Sequence, residues 1–524
     1  MERRSHLQST PLSTQRKKST PSPVNLRTRS PSWWAIPEVG IGECNCAYDR
    51  GDEILPCAKL TISRNDTQKT IEGDLFGAFV RAGAISKSNA DDPKKSSLVR
   101  CARTDKGVHA AGNIVSLKLI TEDTDIVQKI NRELCPQIRV FGISRVNGGF
   151  SAYQLCDSRI YEYLIPTYCF LPPHPDSFLA RKLLELAGEA GDLEGYQLRQ
   201  EEVSNFWSQV EKDHINPILE RADPNFLPVI RKALYQIPDK PEAEERVATT
   251  TNALLEQEVL DSSESQHILP KIPETAEPVI KELKSAYLLA KKAYRISQAR
   301  RSRILATLNS FIGTHNFHNY TVNKTPRDPS ASRVIKSMTL DDDSKIIEGT
   351  EWLSIKIHGQ SFMMHQIRKM ISTVAMIVRC GAEPQRVISL TFSRERVSIP
   401  KAPGLGLLLE RPVFDAYNEK KLVGEFGREP VGFTKYEVEM QEFKQNEIYD
   451  RIWREEAEGA IFHGYFSSVD NLHSSQLLYL SSMGVDALSR AENSEKQARS
   501  VDDAVAEATG LDDGSEGMPD EPDG

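Results

Sequence analysis

The chain has 524 residues, enough for more than one packed unit, with 39% hydrophobic residues and a mean hydropathy of −0.44. No stretch approaches the roughly 18 apolar residues of a membrane span, and the N-terminus lacks a signal-peptide core. The net charge of −8 is uneven, because residues 501–524 hold nine acids and no base while residues 236–282 hold eleven acids against four bases. The remainder is mildly basic, so nucleic-acid binding has to be argued from patches.

Residues 1–32 are rich in Ser, Pro and Arg and cannot bury a core. The Arg16-Lys17-Lys18 cluster reads as a nuclear-import signal, and the same acid-poor composition also fits a mitochondrial presequence. Eight cysteines are scattered along the chain, as expected of reduced thiols, and Cys44, Cys46 and Cys57 match no standard zinc spacing. A helix is predicted from Thr70, where Ile71, Leu75, Phe76, Phe79 and Val80 recur at helical spacing with Glu72 and Asp74 in the first turn. A polar loop, Cys101 to Ala110, leads into the strand Asn113 to Leu119. Ile126 to Leu134 then read as a helix stopped by Pro136, and Arg139–Ile143 and Ser158–Ile165 as strands.

Residues 174–235 look helical, and 236–278 are acidic and unstructured by composition. The next helix, roughly 279–304, carries Lys284, Lys291, Lys292, Arg295, Arg300, Arg301 and Arg303 with no acid between 283 and 303. Solvated helix faces normally alternate sign, so this single-signed run is read as an RNA contact. Strands near 332–339 and 351–357, a long helix from Ser361 to Arg379 and a strand pair over 394–410 complete the ordered part. A charged, helix-prone stretch over 429–460 and an acidic tail follow.

Four stretches carry chemistry-bearing residues in a distinctive order. They are Arg103-Thr104-Asp105 with Gly107-Val108-His109, Arg159-Ile160-Tyr161-Glu162-Tyr163, Gly313 to Thr321, and Gly359 to Met370 with its His365-Gln366-Ile367-Arg368-Lys369 core. Taken singly, each has a plain structural explanation: an Asp after Thr as a turn-former, tyrosines in a strand as cross-strand packing, His315 and His318 as hydrogen-bonded side chains.

Together the four closely resemble the TruA-type tRNA pseudouridine synthases. Thr70 to Phe76, the Cys101 that precedes Ala102-Arg103-Thr104-Asp105, and Ile399 to Pro412 point to the eukaryotic tRNA pseudouridine synthase 1 branch. The resemblance implies an α+β fold of two ferredoxin-like, RRM-like halves forming one long mixed sheet with a central RNA-binding cleft, plus helical additions. It implies an isomerase that turns uridine into pseudouridine in tRNA and in other structured RNAs such as snRNA or mRNA, with no metal, nucleotide or other cofactor and no membrane partner.

Asp105 matches the family's catalytic carboxylate, Tyr161 the tyrosine against the target base, and Arg368 the arginine that offsets the desolvation of that carboxylate. Ile367 matches a pocket wall, and Arg103 the residue that props the space left by an extruded base. RNA contacts are expected at Arg103, Thr104, His109, Arg159, His315, Asn316, Phe317, His318, Asn319, His365, Gln366 and Lys369, and, from the basic helix, at Lys291 and Lys292.

The implied organisation is a disordered basic arm (1–58), an N-terminal catalytic half (59–170), a helical insertion (171–235), an acidic disordered segment (236–278), a C-terminal catalytic half (279–425), a helical extension (426–480) and an acidic disordered tail (481–524). One departure stands out. The family's first central strand has no counterpart in Gly40 to Thr67, where only Lys59 to Ile62 offer a short strand. A missing central strand would leave neighbouring backbone groups unpaired. A misassembled exon boundary is one explanation, and a catalytically impaired RNA-binding paralogue the other.

Overall fold

The computed structural model describes residues 32–37, 39–41, 70–105, 107–234, 276–420, 429–491 and 493. The fold is α+β. Among the described residues the strands form two sheets rather than a single long one. The first has four strands in the order β3-β5-β1-β7, from Val99–Arg100, Ile114–Leu119, Ser32–Pro37 and Ser144–Arg145.

The second sheet runs β6-β2-β4-β13-β8-β12-β10-β9, with β11 paired to β12. Its strands are β2 (Val39–Ile41), β4 (His109–Ala110), β6 (Ile138–Val140), β8 (Ser158–Pro166), β9 (Gly313–Asn316), β10 (Ser332–Leu340), β11 (Lys345–Ile347), β12 (Thr350–Gly359) and β13 (Leu407–Val413). It is mixed: β13 runs parallel to β4 and antiparallel to β8.

The first strand is a correction to the sequence reading. β1 pairs antiparallel with β5 from Ser32↔Leu119 to Pro37↔Ile114, and with β7 through Trp34↔Arg145. The edge of β5 that seemed to lack a partner is thus filled by a segment from within the arm expected to be unstructured. Lys59 to Ile62, Cys44, Cys46 and Cys57 lie outside the described residues, as do Arg16 to Lys18, 235–275 and the end of the acidic tail.

Most other elements fall where periodicity put them. The helix Ile71–Arg81 starts at Thr70, whose hydroxyl accepts the Gly73 N–H at 3.0 Å, an N-cap that satisfies one orphan donor. The basic run is two helices, Glu277–Ala293 and Gln298–Asn309, broken at Tyr294–Ser297, and the Ser297 hydroxyl caps the second. The helix expected from Ser361 begins at Gln366 and ends at Arg379, and every residue of it except Lys369 is buried. Over 394–410 the only strand begins at Leu407. Gly406 precedes it because a Cβ there would sit 2.2 Å from the Leu164 carbonyl oxygen, which no side chain tolerates.

β8 organises the site. It lies between β13 and β12, pairing Tyr161 with Leu409 and Ile357. Alternation sends Arg159 and Tyr161 to one face and Glu162 to the other. On the Glu162 face a buried cluster forms: Lys444 contacts Glu162 at 2.7 Å and Glu410 at 2.6 Å, and the hydroxyls of Tyr449 and Ser354 donate to Glu162. The helical extension is clamped there, leaving the Tyr161 face for the cleft.

Candidate active site

A cleft of about 1000 Å³ opens where the Asp105 loop, the start of β8 and the turn before the Gln366–Arg379 helix meet. Its lining brings together Arg103, Thr104, Asp105, Arg159, Tyr161, His365, Gln366, Ile367 and Arg368 from three of the four sequence motifs. Five arginines line it (Arg100, Arg103, Arg159, Arg333 and Arg368), of which Arg100 is paired with the buried Glu72 at 2.6 Å, against one lining carboxylate, Asp105. A cavity walled by cations concentrates polyanions at its mouth.

The Asp105 loop is held from below. The Cys101 N–H donates to the Ile114 carbonyl at 2.8 Å, and the Asn113 amide donates to the Ala102 carbonyl at 3.1 Å. Gly107, at φ +80°, lets the chain reverse so that the Val108 N–H reaches the Asp105 carbonyl at 3.2 Å. Arg159 ties the loop across the cleft, donating to the Cys101 carbonyl at 3.1 Å and the Gln360 carbonyl at 3.2 Å.

Asp105 keeps 38% of its side chain exposed, so the carboxylate can meet a ligand. Its nearest basic contact is His365, Nε2 to Oδ2 at 3.7 Å. Burial, then Lys401, pushes the His365 imidazole down to about 4, so at neutral pH it is an uncharged polar neighbour. His365 adopts φ +63°, a conformation that costs a non-glycine residue on the order of 1 kcal/mol, and immediately precedes the helix whose N-terminal dipole favours an anion.

Arg368 contributes at longer range. It is buried, its Nε donates to the Ala402 carbonyl at 2.6 Å, and no ion pair within 4 Å joins it to Asp105. Burial lowers its proton affinity, while Tyr163 and then Asp105 raise it. The Arg368 guanidinium, anchored to backbone, therefore acts on Asp105 through space.

Tyr161 is buried, its ring edge-on to Phe362 at 5.2 Å. Burial pushes its phenol well above the ordinary value. The hydroxyl stays protonated at neutral pH. Tyr163, wholly buried, donates to the Pro403 carbonyl at 2.7 Å and is structural.

Several expected RNA contacts are internal instead. His109 is buried in the β4–β13 pairing, where burial and then Arg451 hold its imidazole down to about 3. Phe317 and His318 are buried, and the buried Asn319 amide donates to the Thr391 and Glu395 carbonyls. The Asn316 amide donates to the Pro326 carbonyl, and His315 stacks on Phe392 at 4.3 Å. Lys369 donates to the Asn319 and Thr321 carbonyls. The third motif is thus a brace beneath the helix, not a cleft wall.

The basic helices fare likewise. Arg300 is fully buried on the Phe170 and Val378 carbonyls, Arg301 holds the Asp341 and Asp342 carbonyls, and Arg303 pairs with Glu202. Lys291 contacts His463 at 3.3 Å and lies over the Trp207 ring; neither it nor Lys292 lines the cleft. Sequence reasoning missed Arg333 and Met364, which line the cleft beside Tyr153; Tyr153 is 65% and Met364 57% exposed.

Residues 308–415 match the family model described as tRNA pseudouridine synthase. A Yarrowia lipolytica protein named tRNA pseudouridine synthase 1 is 48% identical over 78% of this chain and 70% of its own length. Proteins of the same name from Schizosaccharomyces pombe (40% identical, 80% of this chain and 82% of theirs) and Saccharomyces cerevisiae (37%, 89% and 77%) are similar too. The chain belongs to the tRNA pseudouridine synthase family. Membership makes it an isomerase.

Proposed function

We propose that this isomerase converts uridines of tRNA to pseudouridine in the arginine-lined cleft, with Asp105 as the catalytic carboxylate. The observation that carries the reading is the lone carboxylate among five arginines, beside a buried phenol and an exposed aromatic and thioether rim. The reaction breaks the C1′–N1 bond, turns the uracil and rejoins it through C5. It needs a carboxylate that can reach the nucleotide and a group that moves a proton as the ring regains aromaticity.

In this reading Asp105 meets the extruded nucleotide from the loop, on the side of the cleft that also holds Arg368 and the helix N-terminus. Tyr161 stacks on the base and donates a proton, Ile367 walls the pocket, and Arg103, exposed at the mouth, fills the vacated stack. Arg159 and His365 contact the RNA nearby, whereas Thr104 and Gln366 are buried beneath the lining and hold it in place, and Tyr153 and Met364 offer a flat ring and a soft edge to neighbouring bases. The two ferredoxin-like halves and action on snRNA or mRNA belong to the same proposal, as do the divisions along the chain, with Ser32–Pro37 and Val39–Ile41 moved from the basic arm into the N-terminal half, and a nuclear location, with a mitochondrial form. The impaired-paralogue alternative loses its motive, because β1 occupies the edge of β5.

The test incubates the full chain with unmodified tRNA and maps pseudouridine by a chemical adduct that stops reverse transcription. Product from the wild type, lost in Asp105→Asn with tRNA binding retained, supports the assignment. A wild type that binds tRNA without product, or an Asp105→Asn variant that still turns over, refutes it. Because the contacts are largely ionic, affinity falls steeply with salt.

A further inference from the structure

His365 lines the cleft from a backbone conformation that rarely carries a histidine. It stands at φ +63° and ψ −2°, in the left-handed region, one residue before the Gln366–Arg379 helix. Glycine or asparagine occupies that region at little cost, whereas a histidine there is strained. The turn that imposes it is locked by its neighbours. The Gln366 N–H donates to the Met363 carbonyl at 3.1 Å, and the Met363 N–H donates to the Gln366 side-chain oxygen at 2.9 Å, with Gln366 wholly buried.

The imidazole takes no part in that turn. It makes no capping hydrogen bond to the helix, the usual task of a polar side chain at this position, and lines the cleft instead. Its Nε2 stands 3.7 Å from Asp105 Oδ2, with the two side chains 20% and 38% exposed. That gap is longer than a hydrogen bond, and a rotation of either partly exposed side chain closes it. Three cations stand on the helix side. The Lys369 ammonium turns to the Asn319 and Thr321 carbonyls, Arg368 is held by the Ala402 carbonyl, and Lys401 immediately precedes Ala402. Burial first and Lys401 next push the imidazole down to about 4, so it meets Asp105 uncharged.

We propose that His365 is a positioning residue for Asp105, its Nε2–H taking Oδ2 as the nucleotide enters and leaving Oδ1 turned toward that nucleotide. The inference rests on Asp105 being the catalytic carboxylate and deepens that reading. An uncharged donor suits the task. A lysine or arginine in the same place would make a stronger, charge-assisted pair, and an arginine would grip both oxygens. One neutral N–H fixes one oxygen and leaves the other free. The strained backbone then has a use, because it aims the ring from the helix across to the loop.

With the donor gone, the partly exposed carboxylate is free to turn into solvent. A displacement on the order of 1 Å at a catalytic group costs roughly 100-fold in rate. Affinity for tRNA, carried mainly by the arginine side chains of the wall, should stay close to wild type. The expected signature is therefore a loss in kcat without a matching change in KM.

The experiment measures turnover and tRNA affinity of the full chain carrying His365→Gly, alone and with added imidazole or 1-methylimidazole. Glycine accepts the left-handed backbone, so the variant should melt no lower than wild type. Its kcat should fall by at least roughly tenfold with KM near wild type, and imidazole should restore much of the loss. 1-Methylimidazole has the same ring but no N–H to donate when neutral, and should not rescue. Unchanged kcat overturns the proposal, as does a loss confined to affinity, which leaves His365 an RNA contact only. Rescue by both compounds shows that the ring merely fills space, and rescue by neither removes the donor role. Should the glycine variant melt below wild type, His365→Asn, which tolerates the same backbone with a shorter side chain, must show the same loss of kcat at wild-type stability. A failure of the Asp105 reading shows separately, as an Asp105→Asn variant that still turns over.

Discussion

Replacing Lys444 with Met tests whether the helical extension is held to the catalytic sheet by charge. Lys444 is 5% exposed and sits between the Glu162 and Glu410 carboxylates, 2% and 7% exposed, at 2.7 and 2.6 Å. Burial opposes the charge on Lys444, and the two carboxylates raise its proton affinity above the usual value despite that. On Glu162 burial acts upward but is outweighed by Lys444, Ser354 and Tyr449, so its affinity for protons is lowered. Removing the ammonium leaves two buried carboxylates with no cation between them.

Breaking a buried pair by deleting one partner costs roughly 3–5 kcal/mol, most of it the uncompensated charge left behind. Arg411 keeps a contact with Glu410 at 3.4 Å, which places the expectation near the lower end, about 3 kcal/mol at pH 8. The assay is urea denaturation followed by tryptophan fluorescence at pH 8 and pH 5. In the variant the orphaned carboxylates bind a proton more tightly folded than unfolded. That protonation contributes stability at low pH and is lost as pH rises through the raised folded value, so the deficit against wild type should shrink toward pH 5. A deficit under about 1 kcal/mol at pH 8, or one that grows toward acid, refutes the clamp.

Tyr161→Phe keeps the edge-on contact with Phe362 and deletes only the hydroxyl. Turnover should fall by roughly 100-fold or more with tRNA affinity unchanged, and wild-type turnover would remove the proton-donor role. His109, held down to about 3 in the fold against an ordinary 6.5, contributes stability above pH 6.5 that is lost progressively as pH falls toward 3. By pH 4.5 the loss amounts to about 2–3 kcal/mol, and His109→Gln should flatten that part of the stability profile. An unchanged acid limb would show that other groups govern it.

The elements that periodicity dictates were legible: the capped helix at Thr70, β5, β8, β10 and β12 all follow from spacing and turn residues. β1 was not, because the short run Ser32 to Pro37 sits in a polar, proline-rich context and gains its partners only from β5 and β7. The break at Tyr294–Ser297 was missed because composition on either side is equally helical. The linking segment is held by the Glu351 carboxylate, which accepts the Ile296 N–H from strand β12.

The order of chemistry-bearing residues, and with it the kind of reaction, was written in the linear chain. A carboxylate, a phenol and a guanidinium in distinctive settings are local facts. Which polar residues face the ligand was settled only when the chain closed. Asn319, His318, Lys369 and Arg300 have the same donors as a residue that grips RNA, and nothing in their spacing tells the two uses apart. Burial does: a donor taken out of water must find an acceptor inside the protein, and Asn319, Lys369 and Arg300 found backbone carbonyls. Asp105, Arg103 and Tyr153 were left where solvent, and therefore substrate, can reach them.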